Sequence, residues 1–384
     1  MSFENRWYAK YTTILLGMIL TVYVMIVAKS ILLPILFAAL LSILLAPLAS
    51  WFEKYKVPRI LAALIALVIG LSVLVGVGYF FYTQLTAFVD DIDLIKERTE
   101  ELLAGLEDFL ITWFDFEGFV QYEEIENLFI EFIRDNTGTL GRGIAGAASV
   151  VTTVFLVPVF MFMFIVFREF LKSFLLKLFG RKSEMHAAKV QTIMTNIQVV
   201  VQRYITGVLI VIVILSFLNS IMLLVIGVNH AVFFGVFAAM LNIIPFLGPI
   251  FGSVLPILYA LLTMDSLIYP IVILAGFYII QLFESNLFTP VIVGSQVSMN
   301  ALIALLLLFL GAQIWGLAGM ILFIPLGAML KVVFDEIDSL KPYGYLIGRV
   351  PDEKQDEKSI LAQKISNLKE KVSNEDHSED KSES

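Results

Sequence analysis

The sequence predicts an all-α integral membrane protein, and three observations carry that expectation. Of its 384 residues, 59% are hydrophobic and only 16% charged, whereas soluble domains run at roughly 45–50% apolar and about 25% charged. The apolar residues are grouped in long, nearly charge-free blocks, and a run of about 18 or more such residues can cross a bilayer as a helix. In the polar stretches between blocks, apolar residues recur at three and four steps, the period of a one-sided helix.

The same composition excludes several function classes. There is no cysteine, so disulfides, thiolate metal sites and cysteine nucleophiles are ruled out. His186, His230 and His377 lie far apart and offer no metal-ligand spacing, so neither a metal nor a cofactor is expected. No basic stripe with interleaved aromatics marks a nucleic-acid partner. The net charge of −8 comes largely from one internal acidic segment and an acidic tail. GRGIAG (141–146) matches a dinucleotide fingerprint, but that motif needs a preceding strand and an acid about 20 residues on. Here an acidic helical segment precedes it and a Phe/Met-rich block follows, so it is expected to form a flexible joint before a membrane helix. No Walker lysine, H-E-x-x-H or G-x-S-x-G pattern is present, which argues against an ATP-driven pump and against an enzyme.

The first span is expected over 11–28. A basic flank (Arg6, Lys10) precedes it as in a secretory signal, but a second block follows at once over 31–52, so both are expected to be retained. Lys29 and Ser30 are expected to form a short turn between them, with Pro34 in the first turn of the second helix, where its missing N–H costs little. The loop EKYKVPR (53–59) leads to a third span over 60–82. The stretch 85–145 is rich in Asp and Glu, with Ile92, Ile95, Leu102, Leu103, Leu106, Phe109 and Leu110 at helical spacing, and predicts a helical insertion outside the membrane. A fourth span covers 147–167, a basic amphipathic helix pair 168–203, and a fifth span 204–228.

The remaining third is apolar but broken. Short blocks at 231–244 and 250–263 are joined by Pro245-Phe-Leu-Gly-Pro249; a longer block covers 267–283; two more, 301–311 and 315–334, are interrupted by Gly311, Gly316 and Gly319. A helix of about 14 residues rises roughly 21 Å, short of a hydrocarbon core of about 30 Å. Broken or re-entrant hairpins are therefore expected at 231–263 and 301–334. The tail from Asp352 is charged and Ser-rich. Five regions follow: N-terminal membrane helices (1–84), acidic insertion (85–145), a membrane helix with basic amphipathic helices (146–203), a C-terminal membrane region (204–340) and a charged tail (341–384). Lys and Arg concentrate in loops 53–59 and 168–203, and flank the apolar region at Arg6, Lys10, Lys331, Lys341 and Arg349. By the positive-inside bias, both termini face the cytoplasm and the acidic insertion faces out.

Two segments carry the expected chemistry. In NIIPFLGPIFGSVLP (242–256), Pro245, Gly248 and Pro249 break the helix and Asn242 adds an amide. Backbone polar groups freed inside a membrane must be met by protein, water or a passing solute, so such breaks gather at transport sites. The competing reading is an ordinary loop, with Gly248 and Gly252 serving close helix packing. In QLFESNLFTPVIVGSQVSMN (281–300), Glu284 stands at the end of an apolar run with Gln281 and Asn286 nearby and Pro290 and Gly294 beyond. A carboxylate desolvated at that depth could exchange a proton or hold a cation; at the membrane surface it would merely cap a helix. Asn219, Gln202 and Gln313 are single amides within apolar stretches and read as helix–helix contacts.

These segments, with LLPILFAALLSILLAPLASWFEKYKVPRILAALIALV (32–68) and GLAGMILFIPLGAMLKVV (316–333), follow one another in an order and spacing that resemble the autoinducer-2 exporter family of bacterial and archaeal membrane proteins over about residues 10–340. Members often carry two arginines before the proline of the 53–59 loop, where this chain has Tyr55-Lys56-Val57. The resemblance implies a homo-oligomeric transporter of the cytoplasmic membrane with about seven or eight membrane segments. The leading expectation is a secondary transporter exporting a small polar solute such as autoinducer-2. Glu284 would then serve as proton or cation carrier and Asn242, Gln281 and Asn286 as ligands, with Pro245, Gly248, Pro249, Gly252, Pro290 and Gly294 shaping the backbone. The alternatives are a Na⁺/H⁺ antiporter using the same carboxylate, and a non-transporting scaffold or receptor. The expected partners are thus the lipid bilayer, a small polar solute or a monovalent cation or proton, and further copies of the chain.

Overall fold

A computed structural model of the protein describes residues 7–89, 98, 112, 147–180, 183–293 and 299–348. Most of the acidic insertion, the GRGIAG segment, Gly294 and the tail from residue 349 lie outside the described residues. Within them the fold is all-α, with an isolated bridge between Met299 and Gly348. Among the described residues, six helices are long and apolar enough to cross a membrane, and shorter apolar helices accompany them.

The N-terminal helices are α1 (Trp7–Val27), α2 (Lys29–Lys54) and α3 (Arg59–Val89), followed by α4 (Ala147–Val166) and the short α5 (Arg168–Phe179). Lys29 and Ser30 do not form the expected turn: both are helical, and the break narrows to Ala28, whose carbonyl still accepts from Ile31 and Leu32. Neither residue is a helix breaker, so the backbone bends without unwinding. α1 is exposed along most of its apolar length, with Met25 partly covered by the cluster around Trp315, as a mainly lipid-facing helix should be. By contrast α2, α3 and α4 pack through fully buried Ala38, Ala49, Ala63 and Ala66, small side chains that allow close helix approach.

The spine of the molecule is α6 (Glu184–Ile226), 43 residues without a break and so about 65 Å long. The sequence divides this stretch into an amphipathic helix and a separate span; the structure merges them. Polarity changes near Arg203, but no Pro lies there and Gly207, one turn on, is buried within the unbroken helix, so solvation changes and the backbone does not. Ser183 caps its start by accepting from the His186 N–H, and Gly227 ends it at φ +89°.

The C-terminal part comprises α7 (Ala231–Leu241), α8 (Leu247–Thr263), α9 (Ile268–Phe283), a π-helical segment (Glu284–Val293), α10 (Ala301–Trp315), α11 (Leu317–Glu336) and α12 (Lys341–Ile347). α7 and α8 form an antiparallel hairpin: the Phe234 and Tyr259 rings meet 5.0 Å apart, and Gly252 faces Ala238. The irregular tip is 242–246, where Phe246 adopts φ +67°. Gly248 and Pro249 therefore sit in the first turn of α8, where proline's missing N–H is tolerated. Ala239, near the tip, packs on Val211 and Leu215, inside the apolar stretch of α6. The hairpin thus turns back part-way along its neighbour, the geometry of a re-entrant pair. α10 and α11 form a second hairpin broken at Gly316 (φ +63°), one of the three glycines the sequence marks, while the first helix runs on through Gly311 to Trp315. Gly311 and Gly319 meet back to back: a Cβ on Gly319 would lie 1.9 Å from the Gly311 carbonyl oxygen.

The basic segments gather at one end. Arg168 at the start of α5 bonds Glu53 and Ser50 at the end of α2, and Lys189 and Asn196 of α6 reach Asp338 and Glu336 beside the end of α11. At the other end Arg98 pairs with Asp265 between α8 and α9 at 3.1 Å.

Candidate functional site

Where α6, the α7–α8 hairpin and α9 converge, they line a half-open cavity of about 270 Å³. Its polar lining comes from Asn219 of α6, Asn242 at the hairpin tip, Ser253 of α8, and Tyr278 and Gln281 of α9. Leu215, Phe277 and Ile280 form apolar walls. An apolar chamber with a few convergent amides and hydroxyls is the usual form of a small-molecule site.

Each wall follows from local sequence. Ala238, Gly248 and Gly252 bring α7 and α8 into backbone contact: a Cβ on Gly248 would lie 2.1 Å from the Leu241 carbonyl oxygen. The close-packing reading of these glycines therefore holds, and it is this packing that sets Asn242 and Pro249 on the same cavity. Asn219 is 4% exposed, and its Oδ1 has no hydrogen-bond partner among the described residues. A buried polar atom left unpaired costs about 1–3 kcal/mol, so the fold keeps an acceptor there at a loss in stability. The Ser253 hydroxyl donates to the Ile250 carbonyl, leaving its oxygen able to accept.

Gln281 links the cavity to Glu284. Its Nε2 donates to Glu284 Oε2 at 2.6 Å, and the Thr289 hydroxyl donates to Glu284 Oε1 at 2.5 Å. The second bond follows from the π geometry. Five residues separate Glu284 from Thr289, and a π-helix, whose ladder runs from i to i+5, brings such a pair together. Pro290 lies in that segment and contributes no N–H to the ladder. Phe288 and Ile292 pack against Val211 and Leu215 of α6. The helix does not end at Glu284: the apolar span runs on from Ile268 to Ile292, with the half-buried carboxylate inside it.

The structure thus brings Asn242, Gln281 and Pro249 together and attaches Glu284 through Gln281. Asn286 is placed elsewhere: its Nδ2 donates to the Leu282 carbonyl at 2.8 Å and it is exposed. Pro245 lies in the tip, outside the cavity wall. Asn219, which the sequence assigns to helix contacts, is the most buried amide of the site. Only its place in the middle of an apolar run could have marked it. Gln313 is exposed and lines neither this cavity nor the larger one at the basic end. Among the described residues, no group of three or more His, Asp or Glu is arranged to hold a metal ion. The site offers amide donors and acceptors, two hydroxyls and, through Gln281, one carboxylate, groups that can hydrogen-bond a polar solute.

Comparison with known proteins gives this chemistry a setting. The profile of the AI-2E family transporters matches residues 14–339. YrrI of Bacillus subtilis (strain 168) is 26% identical over 344 residues, covering 84% of this chain and 94% of YrrI. YueF of the same organism is 24% identical over 310 residues, covering 78% and 82%. The AI-2 transport protein TqsA of Escherichia coli (strain K12) is 23% identical over 331 residues, covering 84% and 91%. With the long apolar helices and the match over nearly the whole chain, the protein belongs to the AI-2E family and is a multi-pass membrane transporter.

Proposed function

We propose that the protein is a secondary transporter that exports a small polar solute through the cavity between α6, the α7–α8 hairpin and α9. One observation carries this reading: the unpartnered Asn219 Oδ1 in a chamber that Asn242 and Gln281 also line. An acceptor kept unpaired in an apolar surround is explained by a ligand that completes it. The α7–α8 hairpin supports the reading, since irregular backbone part-way through a membrane lines cavities. Movement of that hairpin against α2–α4 supplies alternating access. AI-2 is the first solute to test, because TqsA is named for its transport.

The chain sits in a bacterial or archaeal cytoplasmic membrane with both termini inside. The concentration of Lys and Arg at the end shared by Arg168, Lys172 and Lys189 supports this orientation. It works as a homo-oligomer, further copies covering part of its exposed apolar helix faces. Glu284, held by Gln281 and Thr289, carries the coupling proton or cation. In proteoliposomes, Asn219→Ala and Glu284→Gln each lower AI-2 flux at least about tenfold, an amount equal to about 1.4 kcal/mol. Unchanged flux and pH dependence in Glu284→Gln would remove the carboxylate from the mechanism. The same carboxylate favours a second reading, Na⁺/H⁺ antiport without an organic solute. A sodium pulse that collapses an imposed pH gradient, with no AI-2 counterflow, selects that reading.

A further inference from the structure

At the basic end a second, larger cavity of about 710 Å³ opens between α2, the α4–α5 junction and α6. We propose that it is a separate binding site for a neutral polyhydroxylated molecule of about monosaccharide size. Its volume lies within the roughly 300–1,000 Å³ usual for small-molecule pockets. Two side-chain amides, Gln198 and Gln202, stand one turn apart on α6 and face it together. Each supplies donors and an acceptor; Gln198 is exposed and Gln202 half-buried, and no hydrogen bond among the described residues engages either side chain. Ser42 and Thr195 add hydroxyls that donate to their own helices, Ser42 to Ala39 and Thr195 to Gln191, so their oxygens remain able to accept.

Charge decides the class of ligand. Arg168 and Lys172 line the cavity with Glu169, and Arg168 is already engaged by Glu53 and lies 3.8 Å from Glu169. Arg168 is neutralised by Glu53 from beside the lining, which leaves Lys172 and Glu169 as an opposed pair on the cavity, so the site offers little net attraction to an anion or a cation. Paired amides and hydroxyls instead match adjacent hydroxyl groups, each of which donates and accepts. The two cavities are distinct: Gln202 and Asn219 lie on one helix, 17 residues and so about 25 Å apart along its axis.

α5 closes one side. Its Leu171, Lys172 and Leu175 line the cavity, Leu171 at its rim, while Phe170, Phe174 and Leu178 are more fully exposed. That division of faces lays α5 at the membrane boundary.

The test uses the purified full chain and equilibrium binding of D-ribose, glycerol and D-glucose, with ribose 5-phosphate as the charged comparison. At least one neutral polyol binds saturably, about tenfold or more weakly in Gln198→Ala/Gln202→Ala, as two lost hydrogen bonds require, and unchanged in Asn219→Ala. Gln198→Asn/Gln202→Asn restores part of the affinity, which a misfolded variant would not. The chain has no cysteine, so a thiol placed at the apolar lining position Leu175 (Leu175→Cys), which leaves both glutamines in place, can be labelled alone, and the bound polyol slows its modification. No saturable binding by any neutral polyol, binding by ribose 5-phosphate alone, or a loss in Asn219→Ala that the glutamine variants do not share would each overturn the proposal. Because binding is read without flux, failure of the transport reading leaves this outcome separately visible.

Discussion

A side chain whose polar atom is buried and unpaired lowers stability, and replacing it with an apolar residue of similar size removes that cost. Asn219→Leu is therefore expected to keep or raise the thermal midpoint of the purified protein while reducing solute flux. A fall in both would assign Asn219 a structural role instead. Gly248 makes the opposite case. A Cβ there would meet the Leu241 carbonyl and the Asn242 Cα, backbone that cannot yield as a flexible side chain does. Gly248→Ala should cost about 1–3 kcal/mol, the usual range for overpacking, seen as a lower thermal midpoint in detergent. Sequence alone marks both residues as unusual but assigns each only half its part: Asn219 reads as helix glue, and Gly248 reads as either a break or a contact. The deciding quantities, a 4% exposure and a close approach to backbone, are properties of packing.

At the scale of elements, the hairpins were largely legible. A run of about 14 apolar residues bounded by proline is too short to cross, and α7, with 11 residues, is shorter still. The expectation for α7–α8 is a distinctive labelling pattern. Single cysteines at His230 and Asp265, at the two limb ends, should react with a membrane-impermeant thiol reagent from the same side. Pro245 and Glu284 should be shielded from both sides; rapid bulk-water labelling at both would place them outside the membrane and leave the proposed path without walls. The π-helical turn was not legible. Glu284 and Thr289 are five residues apart, a spacing that puts them on different faces of an α-helix and on one side of a π-helix. Nor was the continuity of α6, because a change from polar to apolar side chains says nothing about a backbone ladder that runs through it.

Across the whole molecule, α6 joins the parts. Its first half meets α2 and α11 in a cluster around Leu40, Val201, Trp315 and Phe323, and its second half carries α7 and the π segment. Trp315 further ties α10 to α1 by donating to the Met25 carbonyl at 2.9 Å. Outside the membrane-spanning parts, Lys189 and Lys341 both bond Asp338, holding its carboxyl below the usual range, and Asp338 holds Lys341 above the usual lysine range. A depressed carboxylate stabilises above its unfolded pKa, about 3.9, and that contribution is lost as pH falls through the folded value. A raised lysine stabilises below its unfolded pKa, about 10.4, and loses its part as pH rises through the folded value. The difference in thermal midpoint between wild type and Asp338→Asn should thus be flat from about pH 5 to 9 and shrink under more acid conditions. All three groups are largely solvated, so the effect is small. A difference that instead peaks at acid pH would show the tie to be inert.

Composition and apolar block length by themselves determined an all-helical membrane protein with a broken C-terminal third, because hydrocarbon tolerates only a backbone whose polar groups are satisfied within it. They also drew attention to Asn242, Gln281 and Glu284, since polar groups stand out in apolar runs. Only the tertiary structure decided which of these share a cavity, that Asn286 turns back on its own helix, and that Asn219, Gln198 and Gln202 face open space. Those outcomes depend on helix rotation and on a π turn, each fixed by packing between segments far apart in the chain, which no local pattern of residues encodes.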